Sequence, residues 1–373
     1  MPKTVECPPT YWFHHCRFLS VEKIENDASA RRIAASERRL RYRRAYYIVD
    51  VSTPVDLAFG FYQEMRAFYS DVFELPLPPG HRFPGGKYRL LRQRVSELSR
   101  VLDIELLEAP AARTDELTLV HSSAYVQKVR EGHLSEMEQR RIGFPWSRKM
   151  VQRCLRSCGG TVAAARVALE DGLAVHLAGG THHAFTDAGQ GFCVFNDVAV
   201  AARTLLKDGR VHRVAIIDCD VHQGNGTAAI FREDDRVFTF SMHGDRNFPF
   251  RKCDSDLDIP LPDGTGDAEY LETLQSVLNH QLPIADCDCV FYLAGADPYV
   301  DDRLGRLSLT KQGLAARDQL VLRTCCQADV AAVIVMAGGY APNLNDIADI
   351  HARTVAISAS AHGGLLRSPE ALL

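Results

Sequence analysis

Short apolar runs recur through this chain, each followed by a stretch of helical periodicity, and that alternation restricts the fold more than any other feature. Residues 173–177, 214–217, 237–241, 289–293 and 332–336 are nearly all apolar and of strand length. Amphipathic patterns near 147–170, 196–208, 267–281 and 312–327 lie between and around them. A strand with no polar face must be covered on both sides, and helical crossovers bring successive strands in parallel. The expectation is an α/β fold with a parallel sheet between two layers of helices. Of the 373 residues, 46% are apolar and 24% charged, enough to bury a core of that kind. Residues 65–360 carry no repeat and no low-complexity linker, so a single domain is expected there.

The flanks read differently. Residues 1–60 form a basic extension in which Arg31, Arg32, Arg38, Arg39, Arg41, Arg43 and Arg44 face a single acid, Glu37. A solvated helical arm is the preferred reading, and no function is assigned to it. Met65 is itself a natural first residue for the domain, so the preceding segment is expected to be dispensable, or the natural start to be Met65. Residues 361–373 are read as a tail. A net charge of −4 argues against a chain-wide grip on nucleic acid. No apolar run reaches the length of a membrane span. The 11 cysteines show no CxxC spacing, which points to reduced thiols and a cytoplasmic setting.

In a parallel sheet, ligands sit beyond the carboxyl ends of the strands. Four of the apolar runs lead into polar or glycine-rich residues. The first reaches Gly179-Gly180-Thr181-His182-His183, the second Asp218-Cys219-Asp220-Val221-His222, the fourth Gly295-Ala296-Asp297-Pro298, and the fifth Gly338-Gly339-Tyr340. Residues two apart in an extended segment point the same way, so Asp220 and His222 can face one ion. Asp297, from another strand end, is the candidate third ligand, leaving a catalytic cation an open position. Taken singly, each aspartate is as readily a helix cap and each histidine as readily structural. Taken together, the four strand ends favour a metal site. His182 and His183 supply groups that titrate near neutrality, and Tyr340, after two glycines, can donate to a developing oxyanion.

These residues resemble the histone deacetylase and acetylpolyamine amidohydrolase family. The match comprises Gly179 to Ala184, Gly191-Phe192-Cys193-Val194-Phe195-Asn196-Asp197, Asp218-x-Asp220-x-His222-Gln223-Gly224-Asn225-Gly226, Ala294 to Pro298, Asp302-x-Leu304-Gly305-Arg306-Leu307 and Gly338-Gly339-Tyr340, over roughly residues 66–355. The Gln223-Gly224-Asn225-Gly226 run, with His81-Arg82-Phe83-Pro84 and Lys87-Tyr88, is most similar to the class IV branch and its bacterial relatives. The resemblance implies the arginase/deacetylase fold, with a parallel sheet of eight strands. It implies zinc, or iron(II), on Asp220, His222 and Asp297. His183 is then the general base and later acid, His182 its electrostatic partner or acid, and Asp218 the group that orients His182. Asn225 stands beside His183 where many relatives have an aspartate, so the His183 imidazole should be harder to protonate. Gly191, Phe192, Phe248 and Gly338 would line the passage for the substrate's methylene stem. A structural potassium ion would be held largely by backbone carbonyls around Asp218, Asp220, His222, Ser241 and Met242.

The function so implied is hydrolysis of an acyl group, acetyl or longer, from the ε-amine of lysine in a protein. Two alternatives remain open: a deacetylase of small acetylated amines such as acetylpolyamines, and an acyl-lysine binding module without catalysis. The second is disfavoured because every ligand, both histidines and the tyrosine are present. A di-manganese ureohydrolase would need bridging ligands that Asp220-x-His222 and one distant aspartate do not supply.

Overall fold

The structure is a computed structural model that describes residues 64–364, Glu74 excepted. The basic extension and the chain's last nine residues lie outside the described residues. Eight strands form one wholly parallel sheet: β1 (Met65–Tyr69), β2 (Ile104–Glu108), β3 (Leu173–His176), β4 (Val214–Asp218), β5 (Val237–Gly244), β6 (Leu257–Leu261), β7 (Cys289–Leu293) and β8 (Ala331–Val335). Their spatial order is β2-β1-β3-β8-β7-β4-β5-β6. The expected eight-stranded α/β sheet is therefore present.

Each strand's alternation divides its side chains between two cores. Leu173, Val175, Ala215, Ile217, Val290, Tyr292, Ala332 and Ile334 join one cluster. Ala174, Val214, Ile216, Phe291, Val333 and Val335 join the other. β3, β4, β7 and β8 are buried along their whole length, which is why they read as nearly continuous apolar runs, with His176 and Asp218 the polar exceptions. Each large aliphatic or aromatic side chain removed from water there contributes roughly 1.5–3 kcal/mol before entropy is counted.

The helices are α1 (Lys87–Leu98), α2 (Thr114–Leu117), α3 (Ser123–Glu131), α4 (Glu136–Ile142), α5 (Arg148–Asp171), α6 (Asp197–Lys207), α7 (Asn225–Phe231), α8 (Asp267–His280), α9 (Lys311–Gln327) and α10 (Leu344–His362). One core lies beneath α5 and α6, the other beneath α8, α9 and α10. The longer helices start where local chemistry satisfies their free amides. Ser147 Oγ accepts from the Met150 amide at 3.0 Å to begin α5, and Asn196 Oδ1 accepts from Ala199 at 3.0 Å to begin α6. Thr310 does the same for α9 through the Gly313 amide. Among the described residues, no helix is long and apolar enough to cross a membrane.

The four strands whose ends carry the polar motifs are neighbours, in the order β3-β8-β7-β4 at the centre of the sheet. Residues as far apart in the chain as His182 and Tyr340 thereby meet at one end of the sheet.

Candidate metal centre and catalytic groups

Past the last rung of the central ladders the chain leaves the sheet, and side chains from β4 and β7 turn towards each other. Asp220, His222 and Asp297 are buried, and one ligand atom from each lies within 4.8 Å of the others. His222 Nδ1 is 2.9 Å from Asp220 Oδ1 and 3.2 Å from Asp297 Oδ2. Burial alone would depress the His222 imidazole. Its bonds to Asp220 and Asp297, and their two charges, reverse that and hold it at about 10.

The group fits a divalent cation on its own chemistry. Two carboxylates share one small buried space with one imidazole, and Asp297 Oδ2 has only the 3.2 Å approach of His222 Nδ1, off the alignment of a full hydrogen bond. Burial and the nearby Asp220 charge raise the Asp297 carboxyl, and the His222 imidazole offsets only part of that. The other oxygens are committed: Asp297 Oδ1 accepts from the Val221 amide at 3.0 Å, and Asp220 Oδ2 from the Gly338 amide at 2.7 Å. A Cβ at position 338 would fall on Asp297 Oδ2, so only glycine permits this approach. Gly338 thus sits behind the carboxylates, and not only at the passage wall as the resemblance suggested.

The paired imidazoles stand beside this group. His182 Nδ1 is 2.6 Å from Asp218 Oδ2, and His182 Nε2 faces Asp220 Oδ1 at 3.8 Å. His183 Nδ1 is 2.8 Å from the amide oxygen of Asn225, which leaves a lone pair on Nε2. The two rings are 4.1 Å apart, and the His183 ring is 5.9 Å from that of His222. Their environments drive them in opposite directions. Burial lowers the His182 imidazole, but the Asp218 and Asp220 charges more than restore it, to about 9. Burial, then the neighbouring His182 and His222, pushes His183 well below its ordinary value, and the neutral Asn225 returns little. The expectation drawn from Asn225 and this electrostatic balance point the same way.

The predicted passage residues also converge. Gly191 and Phe192 both have positive φ, 56° and 66°, and a Cβ on Gly191 would come within 2.7 Å of the His183 ring and 3.0 Å of Phe248. The Phe248 ring meets His183 edge-on at 4.8 Å. Phe192 packs on Phe83 and Phe144, each at 5.4 Å, and on Tyr340 at 5.9 Å. The Tyr340 ring stands 6.1 Å from His222. Behind these groups is a cavity of about 60 Å³, bordered by His182, His183, Asp220, Phe192 and Tyr340 and reached by Lys87 and Arg153. Of the residues expected near potassium, Ser241 is paired with Asp218 across the β4–β5 ladder, and Met242 follows it, buried.

Some supporting groups escaped the sequence reading. Asp197 appeared there only as part of a motif; its Oδ1 accepts from the Thr181 amide at 2.7 Å and its Oδ2 from the Gly180 amide at 3.1 Å, fixing the turn before the histidines. Its place after the Asn196 cap was the available signal. Lys87 Nζ donates to the carbonyls of Ala337 and Gly339 at 3.3 and 3.2 Å and lies 5.5 Å from the Tyr340 ring centroid. A lysine opening an amphipathic helix gave no indication of that long-range contact.

Fold and site together define a hydrolase of the arginase/deacetylase architecture, an enzyme acting on amide bonds. Comparison with known proteins narrows the class, since residues 81–356 match the family model described as the histone deacetylase domain. The chain belongs to the histone deacetylase family. It is 46% identical over 283 residues to an uncharacterized protein of a Picosynechococcus species, covering 76% of this chain and 94% of that one. It is 30% identical over 282 residues to histone deacetylase 2 of Arabidopsis thaliana, 72% of each chain. With acetoin utilization protein AcuC of Staphylococcus xylosus it shares 27% identity over 281 residues, 69% of this chain and 73% of that one.

Proposed function

We propose that the protein removes an acyl group from the ε-amine of lysine residues in proteins, using one zinc ion, or iron(II), on Asp220, His222 and Asp297. The observation that carries this is the pairing of His182 with a carboxylate and His183 with an amide, side by side against the Asp-His-Asp group. When bound, the cation would polarise the scissile carbonyl and make water a better nucleophile. The protein's own groups do the rest. His183 Nε2, unprotonated, takes the proton of the attacking water. The Tyr340 phenol donates to the oxygen that gains charge in the tetrahedral species. The His182 imidazolium, held by Asp218, stabilises that charge, and a protonated imidazole of the pair returns a proton to the leaving amine. Gly191, Phe192 and Phe248 sheathe the apolar stem and exclude water from it. A potassium ion on the carbonyls around Asp218, Asp220, His222, Ser241 and Met242 would serve as a structural support.

A small acetylated amine is the second reading, because the family includes relatives named for acetoin utilization. Turnover of the two substrate classes separates the readings. The sequence motifs around Asn225 and Lys87 support a place in the class IV branch. The absence of any CxxC spacing among the cysteines of the sequence supports a reducing, cytoplasmic setting. The test is a panel of fluorogenic acyl-lysine peptides of increasing chain length, run beside acetylated polyamines with and without a chelator. Chelator-sensitive cleavage of at least one peptide is expected; turnover of polyamines alone would replace this reading with the second.

A further inference from the structure

The carboxylates of Asp220 and Asp297 come from different strands, and the β4–β7 ladder ends at Asp218 opposite Leu293. Beyond that pair the two segments have few backbone bonds to each other, since Cys219 N–H reaches back to Leu293 O at 3.1 Å and Ala296 N–H turns to Gly338. One buried side chain spans the opening. Arg317, on α9 and fully inaccessible, donates from Nη1 to Gly295 O at 2.6 Å and to Cys219 O at 3.3 Å. Cys219 immediately precedes Asp220, and Gly295 stands two residues before Asp297. The remaining face of the guanidinium is held by its neighbour. Nε and Nη2 donate to Asp318 Oδ1 at 3.0 and 2.8 Å, and Asp318 in turn accepts from Tyr292 Oη and Thr354 Oγ1, each at 2.6 Å.

We infer that Arg317 is a positioning residue for the metal centre: its guanidinium, aimed by Asp318 and Tyr292, fixes the spacing of the two strand ends that carry Asp220 and Asp297. This rests on the reading of Asp220, His222 and Asp297 as metal ligands. Arginine suits the task because its planar fork presents donors in fixed directions, one edge to the carboxylate and one nitrogen to two carbonyls. A lysine ammonium keeps the charge but cannot satisfy both sides at once. The cluster touches neither the cavity nor the histidine pair, so its effect on chemistry passes through the ligands.

The test uses the full-length protein stripped of metal and titrated with Co2+. The readouts are the dissociation constant, by competition with a chromogenic chelator, and the visible absorption bands, which report ligand geometry. Arg317→Lys is expected to weaken Co2+ binding about tenfold or more, the usual scale for groups that orient metal ligands, and to shift the bands. Tyr292→Phe, which removes one support from Asp318 and leaves Arg317 in place, should weaken binding severalfold with a stable fold. Leu274→Ala, a truncation in the same core that touches neither carbonyl, should leave affinity and spectrum unchanged. Wild-type affinity and spectrum in a folded Arg317→Lys protein would overturn the inference, as would an equal loss in Leu274→Ala. If Arg317→Lys does not fold, Tyr292→Phe decides: weakened binding supports the inference and unchanged binding overturns it. A wild-type chain that binds no Co2+ would instead remove the metal-site reading beneath it.

Discussion

At the scale of single residues, the site separates two adjacent imidazoles by what each ring leans on. His182 has a carboxylate behind it and His183 an amide, so the second ring lacks the charged partner that offsets burial for the first. Asn225→Asp should raise the His183 imidazole, because a carboxylate stabilises the charged ring. A base must be unprotonated to act, so the acid limb of the kcat/KM profile should move to higher pH in the variant; an unmoved limb would mean that His183 is not the base. Tyr340→Phe should cost about 10²–10³ in kcat, the usual price of one oxyanion donor, with melting temperature and Co2+ affinity unchanged. The residues themselves were legible as candidates because strand ends announce themselves: apolar runs stop and Asp, His and Gly follow; their separate roles came only with the family resemblance. Arg317 and Lys87 carried no such mark, since nothing local says that a helix residue will reach the carbonyls of distant strands.

Elements show the same division. The expected strands at 214–217, 289–293 and 332–336 fall on β4, β7 and β8 to within a residue, because burial on both faces leaves no polar position to blur them. The sequence reading passed over β1, β2 and β6, which are partly exposed, and β2 and β6 form the sheet edges; a half-exposed strand of five residues carries little periodicity. β5 runs on to Gly244 because β6 continues to pair with it, a partner that no local pattern reveals. The junction into α6 carries a prediction of its own. His121 Nδ1 donates to Phe185 O at 3.0 Å, while Nε2 accepts from the Asn196 amide at 2.9 Å, so the ring is locked in one neutral tautomer. Burial lowers it to about 4, and burial lowers His176 to about 3. A histidine with a depressed folded pKa contributes fully above its unfolded value near 6.5 and loses that contribution as pH falls towards the folded value. Melting temperature should therefore drop between pH 6.5 and pH 4, and His121→Gln should flatten that slope while lowering stability at neutral pH. An unchanged slope in the variant would show that other groups set the acid sensitivity.

For the whole molecule, sheet order is what makes the motifs one site. The chain gives the four strand ends in the sequence β3, β4, β7, β8, and only the crossovers place them as β3-β8-β7-β4, side by side. The parallel α/β class was legible from alternation, whereas that adjacency was not. The first strand begins at Met65, whose amide bonds to Asp103 O at 2.8 Å. A chain truncated to start at Met65 should melt within a few degrees of the full-length protein and hydrolyse the same peptides; loss of folding would assign residues 1–64 a structural part. The central claim is that three side chains from two strand ends hold a single ion for amide hydrolysis. It is tested most directly by returning zinc stepwise to metal-free protein while following cleavage of a fluorogenic acyl-lysine peptide. The rate should rise linearly and break at one zinc per chain, and Asp297→Asn should abolish the rise; full activity in the metal-free protein, or a break at two ions, would contradict the account.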